Sequence, residues 1–351
     1  MSVRTRTRRP VVMILGGVVA LALLAGAIWA WANTDVFGKE TFCGKVLEAG
    51  EVDSILSGSG RLSDNSTEHD EPYGFTCEVE RAQKIGGGPP AVLSTELALQ
   101  PADFALSSRR VWDGHASYSY FTGERAGAVS HERGWLLLPQ ECLGTVPNSV
   151  RGDPLWSVQV EVENARPGKS DLAAVLLRIA NHVTTKMGCD TTDRWRSAPI
   201  DLREPTGAET RPDDAQLCGN SLTAPGALPE GRLSSPERER YTATGSTTGA
   251  CELAFPGRED RRLTFTWSAD SMLVHGASLE GVGRNTSKAT DRVLVPCGDE
   301  EIYAHVHSSD AYGAALEDAT STQSEATVMR GWLRSYAKAL ASEHGCPSSG
   351  E

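Results

Sequence analysis

The sequence predicts an α+β protein: two tandem repeats, each an antiparallel sheet packed by N- and C-terminal helices, after one N-terminal transmembrane helix. Three observations carry that expectation. A run of 22 residues near the N-terminus holds no charge. All eight cysteines follow it, and their spacings and local contexts occur twice. Between the cysteines, short strand-like runs lie inside flanking stretches of helical periodicity. At 351 residues the chain is long enough for two ordinary domains. With 39% hydrophobic residues it is too apolar for a disordered chain, and a net charge of −12 argues against a nucleic-acid partner. The 27 arginines against 7 lysines read as coding bias rather than chemistry.

The first element is the uncharged run, residues 11–32. As a helix it is about 33 Å long, enough to cross a hydrocarbon core of about 30 Å. Arg4, Arg6, Arg8 and Arg9 precede it without an acidic residue, which keeps the tail, residues 1–10, cytoplasmic and sends the rest outside the cell membrane. Trp29 and Trp31 fall at the outer headgroup layer. A cleaved signal peptide competes, because Ala30-Trp31-Ala32 resembles a cleavage site. The apolar stretch exceeds the roughly 7–15 residues of such leaders, which favours a retained signal-anchor. Leu24-Ala25-Gly26-Ala27 resembles a lipobox with alanine in place of the lipidated cysteine, and Gly16 and Ala20 would let two such helices approach. Beyond the span, 46 acidic residues stand against 30 basic ones, so the exported part is repelled by anionic headgroups. Residues 33–42 reach about 35 Å at most when extended, so the first unit works close to the bilayer.

Cys43, Cys77, Cys142, Cys189, Cys218, Cys251, Cys297 and Cys346 form an even set in a translocated segment, which reads as disulfides. Their gaps are 34, 65 and 47 in the first half and 33, 46 and 49 in the second. Phe42-Cys43-Gly44-x-x-Leu47 answers Leu217-Cys218-Gly219-x-x-Leu222. Gly60-Arg61-Leu62-Ser63 answers Gly231-Arg232-Leu233-Ser234, and Cys77-Glu78-Val79 answers Cys251-Glu252-Leu253. Leu136-Leu137-Leu138-Pro139 precedes Cys142 much as Val293-Leu294-Val295-Pro296 precedes Cys297. Leu177-Arg178 leads to Gly188-Cys189, and Leu333-Arg334 to Gly345-Cys346. These matches place repeat 1 at 33–189, a linker at 190–216 and repeat 2 at 217–351. Four cysteines allow three connectivities per repeat. The favoured one joins first to second and third to fourth, each bridge tying a terminal helix to a strand. Zinc is a poor reading of these thiols, because no C-x-x-C or H-x-x-x-H spacing accompanies them.

In repeat 1 a helix is expected over 45–56, with Val46, Leu47, Val52 and Leu56 in register. Strands follow over 75–81, 91–99, 117–121, 135–138 and 156–162. The last alternates Trp156, Val158, Val160 and Val162 with Ser157, Gln159, Glu161 and Glu163, the pattern of a half-solvated antiparallel strand. Ser170 caps the closing helix, whose Leu172, Val175, Leu176, Ile179, Val183 and Met187 form one stripe and which Gly188 ends. Repeat 2 follows the same course, with strands over 251–255, 263–267, 292–295 and 302–306. Met329, Trp332, Leu333, Tyr336 and Leu340 give its closing helix a buried face, and Gly345 stops it. Pro199, Pro205 and Pro212 among charges mark the linker, in which Trp195 is a candidate to dock.

The order of helix-start Cys, Gly-Arg-Leu, strand Cys, strand-Pro-Cys and helix-Gly-Cys resembles the cysteine-paired envelope proteins of actinobacteria, many of them lipoproteins of unknown function. Some relatives of that family resemble PsbP-like α+β domains. The resemblance covers most of both repeats, through cysteines, glycines and hydrophobic pattern. This chain departs from the family in carrying a span instead of a lipidated cysteine and in being doubled. The resemblance implies an envelope location and carries over no catalytic residue.

The strongest metal candidate is His305-Val306-His307. Glu301, Tyr303, His305 and His307 share one strand face, while Ile302, Ala304 and Val306 point inward. The competing reading is a solvated sheet face. Ser63-Asp64-Asn65 and Ser335-Tyr336-Ala337-Lys338 are similar to elements of penicillin-binding enzymes, but their order is reversed and no K-T-G follows. Gly276-Ala277-Ser278-Leu279-Glu280-Gly281 misses the nucleophile-elbow pattern by one residue. Asp64, Ser66, Glu68 and Asp70 alternate as in a calcium loop, yet His69 stands where a glycine is needed and Phe75 where the distal glutamate belongs. Gly86-Gly87-Gly88-Pro89-Pro90 reads as a hairpin loop, and Asn65-Ser66-Thr67 and Asn285-Thr286-Ser287 fit glycosylation sequons.

The expected function is therefore a non-enzymatic, membrane-anchored binding or interaction protein of the cell envelope. Its partner would be an envelope protein or a small ligand, with no cofactor and no nucleic acid. A metal-assisted hydrolase using His305 and His307 is the alternative.

Overall fold

The computed structural model describes residues 8–33, 38–66, 74–83, 87–100, 116–123, 125–145, 155–189, 200–206, 212, 216–225, 233, 235–242, 246–258, 260–279, 281–285, 289–319 and 324–347. Helix α1 (Arg8–Asn33) takes in the whole uncharged run. Where its side chains are described, Val19, Leu21, Leu23, Leu24, Ile28 and Trp29 are 54–69% exposed, whereas Asn33 at its end is buried. Among the described residues no helix is long and apolar enough to cross a membrane.

The repeated Cys-Gly motif makes a tight loop. Strands β1 (Thr41–Phe42) and β2 (Leu47–Glu48) bring Phe42 opposite Leu47. Leu217 and Leu222 pair in the same way. Cys43 and Cys218 both take left-handed backbone, φ 56° and 61°, followed by Gly44 and Gly219 at 66°. Each cysteine amide donates to a carboxylate 21 residues on, Cys43 to Asp64 at 3.3 Å and Cys218 to Glu239 at 2.8 Å. Lys45 is also left-handed, φ 73°. A right-handed helix cannot run through it, so α2 covers only Ala49–Ile55 and not the expected 45–56.

The first sheet has eight antiparallel strands. They are β3 (Arg61–Asp64), β4 (Thr76–Ala82), β5 (Ala91–Gln100), β6 (Ser119–Phe121), β7 (Gly127–Val129), β8 (Arg133–Leu137), β9 (Leu155–Glu163) and β10 (Leu202–Arg203), ordered β10-β6-β7-β8-β9-β5-β4-β3. Helix α3 (Lys169–Met187) lays its apolar stripe on one face. Leu172, Val175, Leu176, Ile179 and Val183 join Leu47, Ile55, Val79, Leu93 and Val160 in one core. Gly168, not Ser170, is the N-cap, and Ser170 lies inside the first turn.

Gly188 closes α3 in the left-handed region at φ 70°, with nothing within 4 Å of where a Cβ would stand. Gly188→Ala should therefore cost about 1 kcal/mol through backbone strain alone, visible in urea melts as a lower midpoint with unchanged slope.

The second sheet has five strands. They are β11 (Arg238–Tyr241), β12 (Thr248–Ala254), β13 (Arg262–Ser268), β14 (Arg292–Cys297) and β15 (Glu300–Ser308), ordered β11-β12-β13-β15-β14. Without β7, β6 and β10, the first sheet runs β3-β4-β5-β9-β8, the same course. Helices α4 (Ser271–Leu279), α5 (Asp310–Ala319) and α6 (Glu325–Glu343) complete this half. Trp332, Leu333, Tyr336 and Leu340 of α6 and Tyr312 of α5 pack on Phe255, Phe265, Ile302 and Val306.

Four disulfides join Cys43 to Cys77, Cys142 to Cys189, Cys218 to Cys251 and Cys297 to Cys346, consecutive partners in each half. Among the described residues no cysteine is free.

Two further expectations are corrected. Strand β9 is not half-solvated: Ser157 and Gln159 are 0% and 7% exposed, because a second layer covers the face opposite α3. Nor is 190–216 only a linker. Leu202 and Arg203 add an edge strand to the first sheet, while Pro205 bridges to Thr242 and the Thr206 amide donates to Tyr241 O beside β11.

Candidate functional site

The layer that covers β9 is the second half of the chain. Tyr120 of β6, Ala128 of β7, Trp135 and Leu137 of β8 and Leu155 of β9 form one buried cluster with Ala250 of β12 and Leu273 of α4. The two sheets thus meet through the faces that turn away from α3 and α6. Apolar side chains alone do not fill this seam. Gln159 Nε2 donates to Ser157 Oγ at 3.1 Å, and Thr248 and Ser268 share a hydrogen bond of 2.8 Å. Burial in the seam raises the Tyr120 hydroxyl pKa far above its ordinary value, with Tyr118 adding to the effect, so the Tyr120 phenol stays neutral there.

On the second sheet, Ala250, Thr266, His305 and Arg292 lie in register across β12, β13, β15 and β14 and share that face. The alternation expected for β15 is present: Ile302, Ala304 and Val306 enter the core under α6. The opposite face is not solvated as a whole. Tyr303 packs under α4 with Ala277 and Leu294, and His305 is 5% exposed. His307 is exposed, and its ring lies nearly parallel to that of His305, at 6.4 Å and 21°. Glu301 is engaged by Arg284 through both carboxylate oxygens. Among the described residues no three His, Cys, Asp or Glu side chains form a group able to hold a metal.

The remaining candidates stay apart. Asp64 spends its carboxylate on Ser66 and on the Cys43 amide, and Glu68, His69 and Asp70 lie outside the described residues. Ser335 and Lys338 ride the outer side of α6, far in the chain from Ser63, Asp64 and Asn65 in and beside β3. Asn65 donates to Glu78 and Glu80 across β4. Asn285 is exposed, whereas Thr286 and Ser287, like Thr67 and Trp195, lie outside the described residues. Gly87 to Pro90 lie between the antiparallel strands β4 and β5, in the hairpin position, and Gly86 is outside the described residues.

Sequence reasoning missed one polar cluster. Lys169 Nζ lies 2.8 Å from both Glu204 Oε2 and Ser119 Oγ, and Ser119 donates to Glu204 at 2.6 Å. Ser119 is fully buried, so no carbonyl substrate reaches its hydroxyl. The cluster is a clamp that holds residues 200–206 on the first sheet. Its members are 35 to 85 positions apart, and no local motif announces them. Burial pushes the Glu204 carboxyl pKa up, but hydrogen bonds from Lys169 and Ser119 outweigh it and leave the pKa below the ordinary value. The clamp is thus complete at neutral pH and weakens as acid protonates Glu204. Glu204→Gln should cost at most about 1 kcal/mol, since the carboxylate is largely exposed, and should speed amide exchange at Leu202, Arg203 and Thr206.

Two open grooves mark the surface. One of about 400 Å³ follows α4, between Ser271, His275 and Ser278 on one side and Arg284, Asp299 and Glu300 on the other. Another of about 690 Å³ lies at the end of β9 beside Glu132, Glu163 and Arg166.

No family model and no curated protein matches the chain. A solved structure, the di-domain ARO/CYC StfQ from the steffimycin biosynthetic pathway, is 12% identical over 85% of this chain and 93% of its own, with a TM-score of 0.20. At that score the overlap carries no argument about fold or activity.

Proposed function

We propose that the chain is a membrane-anchored, extracytoplasmic binding or interaction protein of the cell envelope, non-enzymatic and akin to the cysteine-paired actinobacterial proteins. The observation that carries this reading is the joining of four disulfides, which belong to an oxidising compartment, to a helix of 26 residues that presents bare apolar side chains. Residues 11–32 serve as the single span, with the N-terminus in the cytoplasm. The buried Asn33 supports an anchor that stands directly against the folded body.

The two halves are copies of one module. The shared strand order, the equivalent bridges, the left-handed cysteines and the carboxylate 21 residues beyond each favour duplication. Packed face to face and strapped by 200–206, they make a stiff platform rather than two beads on a string. An envelope protein or a small ligand is the expected partner, and the groove along α4 is where a small ligand finds hydroxyls and carboxylates together.

Cross-linking in intact membranes followed by affinity purification tests this reading. A specific partner, or a ligand that raises the melting temperature of the ectodomain, is expected. A monomeric protein with neither, or one recovered from the cytosol with reduced cysteines, would refute it.

A further inference from the structure

We infer that His305 is an acid-sensitive lock on the seam: proton uptake by its ring drives the cover of the second sheet, formed by α4 and the first half of the chain, to open. The inference stands on placement and does not depend on what the protein binds. His305 is 5% exposed at the centre of a face whose neighbours Ala250 and Tyr303 are sealed by the first half and by α4. Its buried Nδ1 has no hydrogen-bond partner, and neither has Thr266 Oγ1, which lies directly across β13. A neutral imidazole tolerates such a place at modest cost. An imidazolium, a double donor carrying a full charge, does not.

The titratable groups around it reinforce the effect. On its own strand stand Tyr303 and His307, with ring centroids 6.5 and 6.4 Å away. Arg292 is directly opposite on β14, and Asp291 precedes it. The elements packed on this face bring His275 and Asp270 from α4 and its N-terminus, and Tyr118 and Tyr120 from the first half. His307 and Arg292 oppose a positive charge and only Asp291 favours one, so burial dominates and lowers the His305 pKa from 6.5 to about 4.

The sign follows from linkage. The open form, with its ring in water, titrates near 6.5, so closure is complete above that pH. It weakens as pH falls towards about 4, because only the open form takes the proton readily. At pH 5 the opening equilibrium should be about 30-fold larger than at pH 7.5.

Hydrogen exchange of the intact protein, corrected for intrinsic rates, reads this opening at α4 and at β8 around Trp135. The wild-type protein and His307→Gln should both show the acid acceleration, and His305→Phe should lose it. No acceleration in the wild type, or an equal one in His305→Phe, would overturn the inference. If His305→Phe does not fold, the imidazole titration of the wild-type protein decides. A His305 ring that titrates below about 5 supports the lock, and one that titrates near 6.5 refutes it.

Discussion

Replacing Cys297 and Cys346 together by serine is expected to lower stability by about 4 kcal/mol. Their bridge closes a loop of 49 residues from the end of β14 to Cys346, three residues past α6, and the chain-entropy model assigns that constraint about 4 kcal/mol of unfolded-state destabilisation. Both cysteines are only partly buried, so serine adds little desolvation penalty of its own. The loss should appear in urea melts of the oxidised protein, with spectra unchanged before the transition. The bridge between Cys142 and Cys189 spans 47 residues and should matter equally, but there alanine is the better replacement, because both sulfurs are buried. A loss below about 1 kcal/mol in both variants would mean that the helices hold to their sheets without staples.

Trp332→Ala should cost about 3–5 kcal/mol, as expected when a fully buried indole is deleted. The ring meets Phe265 edge-on at 5.7 Å and Phe255 at 6.3 Å. Its Nε1 donates to the Tyr312 hydroxyl at 3.2 Å, which in turn donates to Leu233 O at 3.4 Å. Truncation therefore opens a cavity and strips the Tyr312 oxygen of its donor, so both terms act in one direction. The melting temperature should fall by roughly 10–15 °C, and Trp332→Phe should recover part of the loss. An unchanged melting temperature would show that α6 does not hold the core of the second half.

What the sequence made legible is what local pattern controls. The stripe from Leu172 to Val183, the inward triplet Ile302, Ala304 and Val306, and the Gly188 stop all stand where periodicity put them. The consecutive cysteine pairs match the expectation, but only Cys297–Cys346 ties a strand to a helix end; Cys43 and Cys218 sit in the tight Cys-Gly loops and join strands β4 and β12. What failed were judgements of which polar residues meet water. Ser157, Gln159, Thr266 and His305 sit on alternating strands that look half-solvated, and nothing within either half indicates that the other half covers them. The same gap hid the clamp at Lys169, because Glu204 has no meaning until residues 200–206 pair with β6. The expected helix at 45–56 failed for a local reason, the left-handed backbone at Cys43 and Lys45 that hydrophobic register does not reveal.

Each half of the chain is closed by its own pair of bridges. Peptide mapping of the full-length protein, taken from membranes and digested without reduction, tests that most directly. It should yield four linked pairs, Cys43 with Cys77, Cys142 with Cys189, Cys218 with Cys251 and Cys297 with Cys346, and no thiol open to alkylation. A peptide joining the two halves, or free thiols in the native material, would contradict it.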